Sequence, residues 1–219
     1  MDINTQKKEG KMEIIEQSHQ ILTPINKEEI YKLIELAGRT AYKSEDKITE
    51  DSAEQFIRSI LVRGHESVVE HFNITIKFIT DRGVTHELIR HRLVSYTQES
   101  TRYCNYSKLG MQFIVPVFWD KHCSAFNLWY IYMGECEKAY AYLLNNLKCT
   151  PQEARSVLSN SLKTEIVCTA NIREWRHILK LRTSKAAHPQ MRALMIPLLK
   201  ELQEKLPVLF ENLKEKENE

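Results

Sequence analysis

The densest run of chemically capable side chains is Arg90-His91-Arg92-Leu93-Val94-Ser95-Tyr96-Thr97-Gln98-Glu99-Ser100-Thr101-Arg102-Tyr103. Arginine suits phosphate because its planar fork donates two parallel hydrogen bonds. Serine and threonine hydroxyls and backbone amides complete a phosphate cradle. Tyr96 and Tyr103 offer faces on which a base or a flavin ring can stack. The run therefore reads as a site for a phosphorylated aromatic ligand. The plainer reading is a solvated basic turn, the usual fate of a charge run.

Two further constellations flank it. Gly64-His65-Glu66-Ser67-Val68-Val69-Glu70-His71 gathers two histidines and two carboxylates. A His-x5-His spacing points its rings apart on a helix, and no third ligand motif accompanies it, so no metal is expected. Asn171-Ile172-Arg173-Glu174-Trp175-Arg176-His177-Ile178-Leu179-Lys180-Leu181-Arg182 reads as a helix. Helical spacing puts Arg173 and His177 on one face and extends that face to Arg176. Trp175, Ile178, Leu179 and Arg182 take the apolar side, and an arginine there wants an anion. A snorkelling side chain is the alternative. Cys104 is the thiol beside the basic run, where its pKa could fall, but it has no histidine partner pattern. The chain has no G-x-S-x-G elbow, no G-x-G-x-x-G and no Walker A sequence.

These residues need elements to hold them. Asn26 and Glu29 make a capping box, with Ile30, Leu33, Ile34, Ala37 and Ala41 following at helical spacing. Thr49 is the expected cap of a second helix that ends at Gly64. Apolar–polar alternation predicts strands at 72–78, 112–117 and 165–170. A short helix is expected at 84–91. A long amphipathic one runs over 126–147, and another starts at Thr150-Pro151-Gln152-Glu153. Two more are expected at 174–181 and 191–206, the last kinked at Pro197. The whole is α+β, a single domain with a small sheet flanked by helices over 13–213, between tails at 1–12 and 214–219.

The 219 residues carry a formal net charge of +2, which gives no general attraction to nucleic acid or a membrane surface. Five cysteines, odd in number and widely spaced, suit reduced thiols in the cytoplasm. The start is polar, with no apolar signal region, and no run is long enough to span a bilayer.

Taken together, the motifs resemble the flavin-dependent thymidylate synthases. Arg90-His91-Arg92, seven residues and then Ser100 match that family's signature, and Ser100-Thr101-Arg102-Tyr103 continues it. Gly64-His65-Glu66-Ser67 with Glu70-His71 is similar to its upstream element. Arg155, after the Thr-Pro-x-Glu start, and Asn171-x-Arg173 with His177 and Arg182 are similar to its downstream elements. The similarity runs from about residue 28 to about residue 205.

The resemblance implies reductive methylation of dUMP to dTMP. Carbon would come from 5,10-methylenetetrahydrofolate and hydride from FADH2, with NADPH as reductant. It implies FAD contacts at His65, Ser67, Arg90, His91, Arg92, Gln98, Asn171, Arg173 and His177. It implies dUMP contacts at Glu87, Arg90, Gln98, Glu99, Ser100, Thr101, Arg102, Arg155 and Arg182. Arg182 would act catalytically by favouring ionisation of the pyrimidine, and Ser100 would be a contact and not a nucleophile. A homotetramer with active sites between subunits follows from the same resemblance. Glu87 stands where many members have Gln, and His177 where some have Asn. The rival classes are an RNA- or nucleotide-binding module using Arg90, Arg92 and Arg102, an interaction-only helical protein, and a synthase that uses Cys104.

Overall fold

A computed structural model describes residues 12–213. The expected tails therefore lie outside the described residues, Met12 apart, whose amide donates to Glu137 Oε2 at 3.1 Å. Helices and strands alternate irregularly along the chain, the α+β arrangement expected.

Two short strands, β1 (Glu13–Ile15) and β2 (Ser18–Ile21), come first. Neither shows in the sequence, because three or four residues carry too little alternation to register. The helix α1 (Lys27–Tyr42) follows, and Asn26 Oδ1 accepts from the Glu29 amide at its start. The helix α2 (Ser52–Val62) begins at Asp51, not Thr49. Thr49 instead donates its amide to Ser52 Oγ at 2.9 Å, so the chain turns once more before the helix starts. Gly64 ends this region at φ +74°, a conformation that favours glycine. Gly38 serves closeness instead: an added Cβ would lie 2.5 Å from the Phe56 ring, so its lack of a side chain lets α1 and α2 pack.

A short 3-10 stretch, Glu66–His71, leads into β3 (Asn73–Asp81), α3 (Arg82–Leu88) and β4 (Ser95–Gln98). The strand β4 lies inside the basic run, which is therefore built structure and not only a turn. Next come α4 (Tyr106–Leu109), β5 (Gln112–Ile114), the long α5 (Ser124–Asn145) and α6 (Pro151–Ala154). The Thr150–Glu153 capping box forms as expected, but α6 is one turn long and passes into a 3-10 turn, Arg155–Val157. The remainder is β6 (Lys163–Asn171), α7 (Ile172–Arg182), α8 (Pro189–Lys205) and α9 (Pro207–Phe210). Pro197 sits inside α8, where it offers no amide to the preceding turn.

One sheet has the order β2-β3-β6-β4, and β1 pairs in parallel with β5. The chain divides into two compact units. Unit 1 takes 79–86 and 98–166 with the residues before Ser18, and unit 2 takes 18–78, 87–97 and the residues after Ile166. Unit 1 is built around Phe113, Phe126, Trp129, Met133, Tyr140 and Leu162. Unit 2 buries Ile30 and Ile34 of α1, Ile57 and Ile60 of α2, Ile74 and Phe78 of β3, and Trp175 and Leu179 of α7. Trp175, wholly buried, donates its Nε1 proton to the Ile74 carbonyl at 2.9 Å, so α7 is held to β3 by both packing and a hydrogen bond.

Candidate functional site

In unit 2 the chemistry gathers at the end of α7. Asn171 closes β6 and starts α7 by accepting the Glu174 amide on Oδ1 at 2.9 Å. Ile172, Trp175, Ile178 and Leu179 bury one face of the helix. That fixed helix delivers Arg182 in its last turn. Arg182 Nε donates to His91 Nε2 at 3.0 Å, Nη1 to Glu87 Oε2 at 3.0 Å, and Nη2 to the Glu87 carbonyl at 3.1 Å. Three of the five guanidinium protons are thus committed, and two remain for a ligand.

His91 is buried, and burial first, then the nearby Arg182 and His177, lower its pKa to about 4. It is neutral at physiological pH. Because Nε2 accepts from Arg182, the ring proton lies on Nδ1, which is 3.6 Å from Glu174 Oε1. Burial raises the Glu174 carboxyl, which His177 opposes. Tyr96 supports the turn that carries His91: its hydroxyl donates toward the Leu88 and His91 carbonyls at 2.5 and 2.9 Å. Burial pushes that hydroxyl's pKa well up, so it remains a donor.

A cavity of about 940 Å³ lies in the same unit, within the range of ligand sites. Asn171, Arg173 and His177 line it together with Glu66, Glu70 and Lys180. Arg173 pairs with Glu70 and approaches Glu66. Arg176 lines the same cavity, as its spacing from Arg173 predicts, but it is buried there. Its Nη2 donates to Glu66 Oε1 at 3.1 Å and its Nη1 to Asn212 Oδ1 at 2.9 Å and to the Leu209 carbonyl. The reason is helical: Arg176 follows Ile172 by four residues and precedes Leu179 by three, and both are buried.

In unit 1 the residues after β4 form a second set. Gln98 Nε2 donates to Thr85 Oγ1 and Thr164 Oγ1 at 3.0 and 3.2 Å. Glu99 accepts from the Tyr106 hydroxyl at 2.8 Å on one oxygen and from Lys163 Nζ at 3.1 Å on the other. Burial, and then Glu99 itself, raise the Tyr106 pKa and keep that proton in place. Ser100 Oγ accepts from the Arg102 amide. Thr101, buried, accepts from Arg155 Nη1 at 3.3 Å, and Arg102 reaches Gln152 Oε1 at 3.5 Å. A cavity of about 450 Å³ is lined by Arg82, Thr101, Gln152 and Arg155 among others, with no carboxylate on its wall among the described residues.

Comparison with known proteins bears on both sets. Residues 25–208 match the family model described as thymidylate synthase complementing protein. A protein of Mycobacterium sp. strain JLS named flavin-dependent thymidylate synthase is 36% identical over 200 residues, covering 81% of this chain and 78% of its own length. Its namesake from Corynebacterium glutamicum is 33% identical over 196 residues, covering 81% and 77%. The chain belongs to the flavin-dependent thymidylate synthase family. A solved structure of the UMP/dUMP methylase PolB from Streptomyces cacaoi, bound with 5-Br dUMP, shares the fold. Its TM-score is 0.76 at 21% identity, over 91% of this chain and 95% of that one.

The family's motif residues fall into three groups here. Arg182 is hydrogen-bonded to both Glu87 and His91 in unit 2. Asn171, Arg173 and His177 share the large cavity. Thr101 and Arg155 are bonded in unit 1, with Gln98, Glu99, Ser100 and Arg102 around the same turn. Arg90 and Arg92 are exposed and do not line the large cavity. Ser67 is exposed too, and so is His65, whose Nδ1 lies 3.0 Å from the Tyr42 hydroxyl. Sequence reasoning missed Glu174 as a network member, and it put Arg176 on the Arg173 face without its partners Glu66, Asn212 and Leu209. The buried helical face running through residue 172 to residue 179 is the signal that would have marked Arg176 as buried.

Proposed function

We propose that the protein methylates dUMP to dTMP, taking carbon from 5,10-methylenetetrahydrofolate and hydride from FADH2 regenerated by NADPH. What supports this reading most is Arg182: a buried-edge guanidinium fixed by three hydrogen bonds, with two protons left over, next to a histidine kept neutral. A fixed cation of that kind stabilises negative charge as it develops on a pyrimidine ring, and it cannot act as a base. His91 and Glu87 orient it.

The large cavity fits a flavin in volume and in its mixed polar wall. Asn171, Arg173 and His177 would hold the flavin, with His65, Ser67, Arg90, His91, Arg92 and Gln98 as the family's further contacts. Bound there, FAD supplies the hydride chemistry that no side chain has. Thr101, Arg102 and Arg155, with Ser100, Gln98 and Glu99, take the nucleotide. The enzyme acts as a cytoplasmic homotetramer in this reading. Leu128, Ile131, Tyr132 and Tyr142 leave an apolar face of α5 exposed, which a second copy would cover.

The test is the visible spectrum of the purified protein, followed by anaerobic addition of NADPH with and without dUMP, then a dTMP assay with methylenetetrahydrofolate. Flavin bands that bleach, and dTMP that accumulates, are expected. Protein that stays colourless after incubation with FAD would sink the reading. Oligonucleotide affinity that falls steeply with salt would then favour the nucleic-acid-binding class.

A further inference from the structure

We infer that Arg82, outside every motif named above, is a further phosphate ligand of the unit 1 cavity. The inference rests on the proposed binding of a nucleoside monophosphate there. Arg82 opens α3, and its amide donates to the Asn160 carbonyl at 2.9 Å. Asn160 is itself on the cavity wall, so the Arg82 backbone is pinned to the site it serves.

The side chain carries the argument. Nη1 of Arg82 is buried and has no hydrogen-bond partner among the described residues. Buried guanidinium protons are normally answered, because leaving one unanswered is costly. The cavity beside it holds a second guanidinium, Arg155, whose Nη1 reaches only the neutral Thr101 hydroxyl at 3.3 Å. Among the described residues no carboxylate lines the wall beside them. Ser156 Oγ already donates to the Glu153 carbonyl at 2.8 Å, which steadies the turn that carries Arg155. Thr101 Oγ1 accepts from Arg155, which leaves its own proton to donate.

Two arginines and a threonine with a proton to donate line about 450 Å³, a wall suited to an anion with many acceptors. A neutral ligand leaves two charges unanswered, and a carboxylate has acceptors for one fork. A phosphomonoester dianion has oxygens for both forks and the hydroxyl together. Arg82 would then discriminate the nucleotide from the nucleoside, which is a specificity role distinct from the charge stabilisation proposed for Arg182.

The experiment is calorimetric titration of the full-length protein with dUMP and with deoxyuridine, for wild type, Arg82→Met, Arg82→Lys and Arg155→Met. Arg82→Met is expected to weaken dUMP about 10–100-fold, the range for a charged hydrogen bond, and to leave deoxyuridine within about twofold. Arg82→Lys keeps the charge without the fork and should lose about 5–10-fold for dUMP. If Arg155→Met weakens dUMP and the Arg82 variants do not, the inference is overturned while the functional reading stands. If wild type binds no dUMP, both fall. Equal losses for dUMP and deoxyuridine would assign Arg82 to structure alone and overturn the inference too. Should Arg82→Met lack a cooperative melt, Arg82→Lys decides, and wild-type dUMP affinity in that variant overturns the inference.

Discussion

Arg182 of unit 2 and the arginines around the unit 1 cavity are held in opposite ways. In unit 2, Arg182 makes three hydrogen bonds of 3.0–3.1 Å, one to a carboxylate and one to a histidine kept neutral by burial. In unit 1, Arg155 and Arg102 reach neutral side-chain oxygens at 3.3 and 3.5 Å, and Arg82 leaves a buried proton unanswered. The contrast fits two tasks. A cation that must meet charge only as it develops is useful when it is already in place, because nothing then reorganises at the moment of reaction. Cations that meet a ligand already carrying its full charge lose nothing by waiting, and weak partners let them exchange for phosphate oxygens.

The sharpest way to break this comparison is Arg182→Lys. Lysine keeps the charge but cannot donate to His91, Glu87 and a ligand from a planar fork. We expect kcat to fall about 10²–10³-fold, the range for losing one preorganised donor, with bound flavin retained. A change confined to KM would show that Arg182 only binds, and the contrast would collapse. Arg155→Met is the complement. It should raise the dUMP Kd about 10–100-fold and leave kcat at saturating dUMP within a few-fold. A large loss of kcat there would put both arginines in one class.

What the sequence made legible follows the same division. Helical spacing placed Arg182 near a buried edge and asked for an anion, and the structure supplies Glu87 at 3.0 Å. The Asn26 cap, the Thr150–Glu153 box and the alternation of β3 and β6 were readable because each is a local preference written in a few residues. The strands β1, β2 and β4 were not, since each is three or four residues long and exists through pairing with distant chain. Within the site, the pairing of His91 with Glu174 and of Arg176 with Glu66 joins residues 83 and 110 positions apart, and no local pattern encodes such partners. The neutrality of His91 is likewise a product of burial and of Arg182, and not of its neighbours in sequence. Glu174 and Arg82, which fell outside the family's motifs, are positions that only three-dimensional accounting of donors and acceptors brings forward.

A smaller effect is expected from pH. The folded pKa of His91 is depressed from 6.5 to about 4, so the folded chain favours the neutral ring. As pH falls from 6.5, the unfolded chain takes up the proton first, and stability drops until about pH 4, below which both states are protonated. Above pH 6.5 the contribution is fully present. Glu174, whose carboxyl burial raises, acts in the opposite sense, so the informative quantity is a difference between proteins. His91→Gln, whose carbonyl still accepts from Arg182, should lose the part of the pH slope between 6.5 and 4 that wild type shows in thermal melts. Identical slopes in both proteins would mean that the ring is not held neutral and that Arg182 lacks the partner described.

The smallest effect belongs to Cys104, the thiol that follows the unit 1 arginines. It is half-buried against the apolar cluster of that unit, and its carbonyl accepts from the Tyr140 hydroxyl. Its side chain is therefore placed as a small hydrophobe and not aimed at a base. Cys104→Ala removes one sulfur from a packed but partly open position and should leave kcat and the dUMP Kd within about twofold, with a modest drop in melting temperature from the lost burial. A thiol nucleophile would turn unit 1 from the phosphate-holding region proposed above into a reacting one. Loss of dTMP formation in a Cys104→Ala protein that still melts cooperatively and still binds flavin would require that reversal, and with it a covalent route in place of the ring activation proposed for Arg182.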